Sequence, residues 1–191
     1  MKLLQILFPL VLIASLGGGA MSETSMPWDG DTGGVPPAVG DAGPYSAGEW
    51  DDMHADAFGE GVVPGIGDEL AVTGTSSPLS VGTGRAWVNG KYYRHTSSDT
   101  VEVPAPTGAT RIDRIVLRAD YAAQEVRIAR LAGVEGSGEP PALTQTDGVR
   151  WEISLAQVTV TTGGAITVVS ERTAADQGRL PGEIAIMYAT A

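Results

Sequence analysis

Cysteine is absent from all 191 residues, and histidine occurs only at His54 and His95. The first absence excludes a disulfide framework, a thiolate metal site and a cysteine nucleophile. The second excludes a histidine metal motif of the HExxH type, because the two imidazoles lie far apart in the chain. Basic residues are missing from residues 21–70, which hold eleven acidic groups. Residues 85–150 carry nine basic and eight acidic groups, so the net charge of −11 belongs to the N-terminal part and the body is balanced. A nucleic-acid partner calls for a basic field, and none is expected here.

Catalytic signatures are missing too. There is no GxSxG elbow, and "GEGVVPGIGDE" lacks the lysine and spacing of a phosphate loop. Asp51 and Asp52 are adjacent on an expected helix, where neighbouring side chains diverge rather than flank a substrate. Asp147 and Glu152 bracket a turn and a strand start, with nothing in the sequence to pair them as acid and base. No enzyme activity, cofactor or metal is expected. The apolar run Leu3–Leu16 is short for a membrane span. With Lys2 before it and Gly18 and Ala20 after it, residues 1–20 have the layout of a secretory signal peptide. Met21 offers a second start, which makes residues 1–20 either a leader or an upstream artefact, and Met21 is the expected start.

Glycine (26) and proline (12) are plentiful, which favours turns and short strands. Residues 21–44 read as an acidic Gly/Pro-rich arm. Asp29 and Asp31 lie in it without a twelve-residue calcium loop around them. "YSAGEWDDMHADAFGEG" predicts one short helix: Ser46 and Glu49 form a capping box, and Trp50, Met53, Ala57 and Phe58 recur at helical spacing. Asp51 and Asp52 are placed near its positive end, His54 beside its apolar stripe, and Gly59 and Gly61 at its stop.

From residue 62 onward the pattern is β. In "RAWVNGKYYRH", Asn89-Gly90 suits a type I′ hairpin turn. A strand is expected over 112–118, and "AQEVRIARLAG" is a strand or, by a looser count, a helix. "YAAQ" between them is a turn or the first residues of that element, and 134–148 is a loop. The strand from Val149 alternates through Trp151, Ile153 and Leu155, then changes phase to Ala156, Val158 and Val160, the mark of a bulge or break. "AITVV" follows Gly163-Gly164 as a last strand. The fold class is therefore mainly β: a small antiparallel β-sandwich or jelly-roll-like domain with one short N-terminal helix. It spans 45–174, with 175–191 as a tail or short extra strand.

"RIDRIVLRADYAAQEVRIARLAG" holds five arginines in residues 111–133. Arg114 and Arg118 share a strand face with Val116, opposite Asp113, Ile115 and Leu117. Acids of comparable number predict cross-strand ion pairs on a polar sheet face. Arg114, Arg118, Arg127 and Arg130, with Trp50, Met53 and Phe58, are the candidate interface residues. Trp87, Tyr92 and Tyr93 are a candidate glycan contact, the basis of an alternative reading as a secreted carbohydrate-binding β-sandwich.

Four pieces in fixed order resemble the N-terminal attachment region of tailed-bacteriophage baseplate and tail-fibre proteins. They are Gly84, Ala86, Val88, Gly90 and Tyr93 in "GRAWVNGKYY"; Arg111–Arg118 as "RIDRIVLR"; Pro141, Leu143 and Thr144 as "PxLT"; and Glu152–Val160 as "EISLAxVxV". The resemblance implies a virion component without chemistry of its own, present as a trimer or hexamer. Its implied partners are other tail or baseplate proteins and a downstream fibre or receptor-binding protein.

Overall fold

The strand β10 (Arg150–Val160) is the spine of the fold. The computed structural model describes residues 47–175, so the leader-like segment, the acidic arm, the Ser46 cap and residues 176–191 lie outside the described residues. β10 pairs antiparallel with β7 (Arg111–Asp120) on one side and β11 (Ile166–Ser170) on the other. β8 (Glu125–Leu131) extends the sheet beyond β7, giving the order β11-β10-β7-β8. Two three-stranded sheets are built from the preceding segment. One is β1 (Gly61–Val62), β4 (Gly84–Val88) and β5 (Lys91–His95); the other is β2 (Val72–Thr73), β3 (Leu79–Val81) and β6 (Asp99–Val101). The fold is mainly β, a small antiparallel sandwich with one helix, α1 (Ala47–Phe58), among the described residues.

Alternation decides what is inside. Leu79 and Val81 of β3 and Ala86 and Val88 of β4 meet Ile115 and Leu117 of β7 and Ile153, Leu155 and Val158 of β10 in one buried cluster. Each such Leu, Ile or Val side chain, taken fully out of water, contributes about 1.5–3 kcal/mol. The phase change in β10 is a bulge: Ser154 pairs with Val116 and Ala156 with Ile115, leaving Leu155 as the extra residue. Leu155 and Ala156 are both buried.

The segment left open between strand and helix is the strand β8, joined to β7 by a turn at residues 121–124 with Gln124 at φ 54°. Two expectations need correction. The loop 134–148 contains a two-residue strand, β9 (Gln145–Thr146), because its backbone reaches the end of β10. The helix starts at Ala47, so Asp51 and Asp52 lie in its second turn, and the acid in its first turn is Glu49.

The chain after β11 returns to the first strand. Ala174 bridges Val62 in parallel, and Val62 N donates to Thr173 O at 2.8 Å. Gly61, at φ 135°, permits this approach, since a Cβ there would stand 2.5 Å from Thr173 O.

Candidate functional site

All five arginines of residues 111–133 face carboxylates of the same chain. Arg118 Nε donates to Glu152 Oε1 at 2.7 Å across a directly opposed β7–β10 pair. Glu152 is buried, and its second oxygen accepts the Thr144 backbone N–H at 2.8 Å. Arg114 Nε donates to Glu171 at 2.8 Å, and its NH1 donates to Pro141 O at 2.6 Å. Glu171 also accepts from Ser154 Oγ at 2.6 Å and from the Gln157 amide. Burial alone would raise the Glu171 carboxyl, but Ser154, Arg114 and Gln157 outweigh it and hold it below its ordinary value.

Arg130 points the other way. Its position opposite Ile115 puts it on the core-facing side of β8, where it joins Arg111 on Asp113. Asp113 is fully buried and accepts from Arg111 Nε at 2.6 Å, Arg130 NH1 at 2.7 Å and Gly133 N at 2.9 Å. Burial opposes its charge, yet these donors prevail and its pKa is lowered. Arg127 is 67% exposed and pairs with Glu125 at 3.0 Å. The candidate interface arginines are thus engaged within the chain, Arg127 on the most open pair.

The helix and hairpin bring the two aromatic sets together. Phe58 stacks on Trp87 with centroids 4.7 Å apart, and His54 lies 5.1 Å from the same ring. Trp50 follows His54 at 5.8 Å, and Tyr92 lies 5.0 Å from Trp87. The contacting ridge is Trp50-His54-Phe58, at i, i+4 and i+8, with Ala57 exposed. Met53 is half-buried beside it. The ridge can sit this close because Asn89 (φ 46°) and Gly90 (φ 73°) form the left-handed pair of a type I′ turn, and a Cβ on Gly90 would collide with the Asp51 backbone. Lys91 pairs with Asp51 and sits 5.4 Å over the Tyr121 ring. Trp87 and Tyr92 are paired positions on one face of the hairpin, while Tyr93 pairs with the core residue Ala86 and packs inward. The three aromatics named for glycan contact therefore do not form one platform.

Beside the turn, β5 and β8, each the edge strand of its own sheet, flank an open cleft of about 770 Å³. Asn89 Nδ2 donates to Tyr121 OH at 2.7 Å and to Asp147 Oδ1 at 2.8 Å, and Tyr121 OH lies 3.3 Å from the same oxygen. Burial raises the Tyr121 hydroxyl pKa, opposed by the Asn89 hydrogen bond and reinforced by Asp147. Among the described residues no cluster of three His, Asp or Glu side chains could hold a metal.

No family model matches the chain. No curated protein matches it either. Among solved structures it is similar to the gene 22 product of the Bacillus subtilis SPP1 phage. That likeness has a TM-score of 0.40 and 12% sequence identity, over 58% of this chain and 81% of the phage protein. Its degree leaves role and fold to be argued from this chain's own residues.

Sequence reasoning did not single out Asp113, Glu171, Glu152 as a buried acceptor, or the Asn89–Tyr121–Asp147 triad. Asp113 and Glu152 had a signal, acids alternating with Arg111 and Arg150 on strands; Glu171, just past the end of β11, had none. The triad had none, because its members lie 26 to 58 positions apart.

Proposed function

We propose that this chain is a non-enzymatic structural protein of a phage tail or baseplate, acting as an oligomeric attachment module in the virion. One observation carries the reading. The four sequence pieces that resemble tail attachment regions interlock in space. Arg118 of the second piece and Thr144 of the third both converge on Glu152 of the fourth. Arg114 of the second also holds Pro141 of the third. The first piece is the β4–β5 hairpin that seats the helix. A motif set whose members brace one another specifies a scaffold, which is what a docking part requires. The partners on this reading are further copies of the chain and other tail proteins; nucleic acid is not among them.

The test is the absolute mass of the chain by light scattering on a sizing column across a concentration series, paired with co-sedimentation on purified phage tails. A stable trimer or hexamer that co-sediments is expected, since a tail part must match a closed symmetry. A monomer at every concentration that also fails to co-sediment overturns the reading.

A further inference from the structure

We infer that the cleft between β5 and β8 is a binding site for a neutral saccharide. It goes beyond the assembly role and does not depend on it.

The polar groups of the cleft are prepared and incompletely used. Asn89, the Tyr121 hydroxyl and Asp147 Oδ1 orient one another, as described above. Among the described residues Asp147 Oδ2 and the Asp52 carboxylate make no hydrogen bond or ion pair, and both residues line the cleft. The open groups among the described residues are therefore the acceptors of Asp147 and Asp52 beside the unengaged donors of Arg94 and Gln124, and they call for a ligand that both donates and accepts. Sugar hydroxyls donate well to carboxylates, because a hydrogen bond to a charged acceptor is stronger than a neutral one. Tyr92, half exposed, supplies an aromatic body at the rim, while Tyr93 reaches the cleft only with the part of its side chain not packed on the core. A ring exposed like that of Tyr92 packs on the C–H face of a pyranose while its hydroxyl stays wet.

Charge sets the class. Five carboxylates and three cations line the cleft, leaving it net negative by two. Three of those carboxylates, Asp51, Asp120 and Glu125, are taken up by Lys91, Arg150 and Arg127. Of the charges left over, the carboxylates of Asp52 and Asp147 outnumber the single guanidinium of Arg94, which disfavours sialic or uronic acids and leaves neutral sugars acceptable. The cleft is open to solvent and lined by residues of both edge strands, Lys91 to Arg94 of β5 and Glu125 to Arg127 of β8, which gives room for an oligosaccharide. An extended cationic peptide laid along the β8 edge is the competing occupant. It is disfavoured because the Arg127 side chain already bonds the Val126 carbonyl of that edge.

The experiment is a titration of ¹⁵N-labelled protein followed by amide shifts. The probes are glucose, galactose and N-acetylglucosamine with their short oligomers, N-acetylneuraminic acid, and a lysine-rich peptide. At least one neutral sugar is expected to move Asn89, Tyr121, Asp147 and Gly148 together, with N-acetylneuraminic acid silent. Asp147→Asn and Tyr92→Ala are each expected to weaken that sugar about tenfold, with folded spectra retained. The inference is overturned if no neutral sugar moves these amides. It is equally overturned if only the acidic sugar or the peptide does, or if both folded variants bind as the parent does.

Discussion

Asp113 shows what a single buried charge demands. Its carboxylate is fully enclosed and held by two guanidiniums and a backbone N–H. Asp113→Asn is expected to cost about 3–5 kcal/mol in urea denaturation, because it leaves Arg130 without its counter-charge and Arg111 with Glu135 alone, at 3.9 Å. The lowered pKa values of Asp113 and Glu171 make their stabilisation complete above the ordinary carboxylate values of 3.8 and 4.5. It is lost as pH falls through their lower folded values. Glu60 has the opposite sign. Burial raises its carboxyl above 4.5 against the pull of Trp151 and the Asn89 N–H, so its contribution declines as pH rises through the folded value. Glu60→Gln is expected to stabilise the protein at pH 7 and to lose that gain in acid. Denaturation midpoints of parent and variant across pH check this, and equal midpoints at pH 7 would contradict it.

At the scale of elements, α1 and the β4–β5 hairpin are one unit held by a turn and an aromatic stack. Gly90→Ala combines a left-handed backbone with a collision against Asp51. It is expected to cost at least about 2 kcal/mol and to disturb the tryptophan near-UV signal. Phe58→Ala, on a half-buried site, is expected to cost about 1–2 kcal/mol. Its damage should stay local: hydrogen exchange should quicken in α1 while β7 and β10 keep their protection. Loss of protection in β10 would refute the division.

Much of this level was legible in the chain. Asn89-Gly90 announced its turn because few dipeptides tolerate two positive φ angles. The change of phase after Leu155 announced the bulge because strand alternation has a strict period of two. The helix stripe, read as Trp50, Met53, Ala57 and Phe58, keeps Trp50 and Phe58 in the contacting ridge and takes His54 in place of Met53 and Ala57. Trp50-Met53-Ala57 and Trp50-His54-Phe58 are both legitimate helical ridges, and only the position of Trp87 selects the second.

Across the whole molecule, three small sheets share one core, and the pairings that define it join distant segments. β10 finds β7 across the intervening β8 and a long loop, and residues 173–175 find β1 from the far end of the domain. Closing such loops precedes any gain from their contacts, so refolding is expected on a scale of about milliseconds to seconds. Stopped-flow tryptophan fluorescence checks this, and folding within microseconds would rule it out.

The sequence by itself determined the fold class, the hairpin, the bulge and the expectation that the arginines face acids. These follow from alternation, turn stereochemistry and local charge balance, which act over a few residues. Only the tertiary structure decided which acid each arginine takes, that Arg130 turns inward to Asp113, and that Phe58 and His54 cover Trp87. It also assembled the cleft around Asn89, Tyr121 and Asp147. Those outcomes depend on which strands become neighbours and at what register, and such long-range choices leave no periodic trace in the chain.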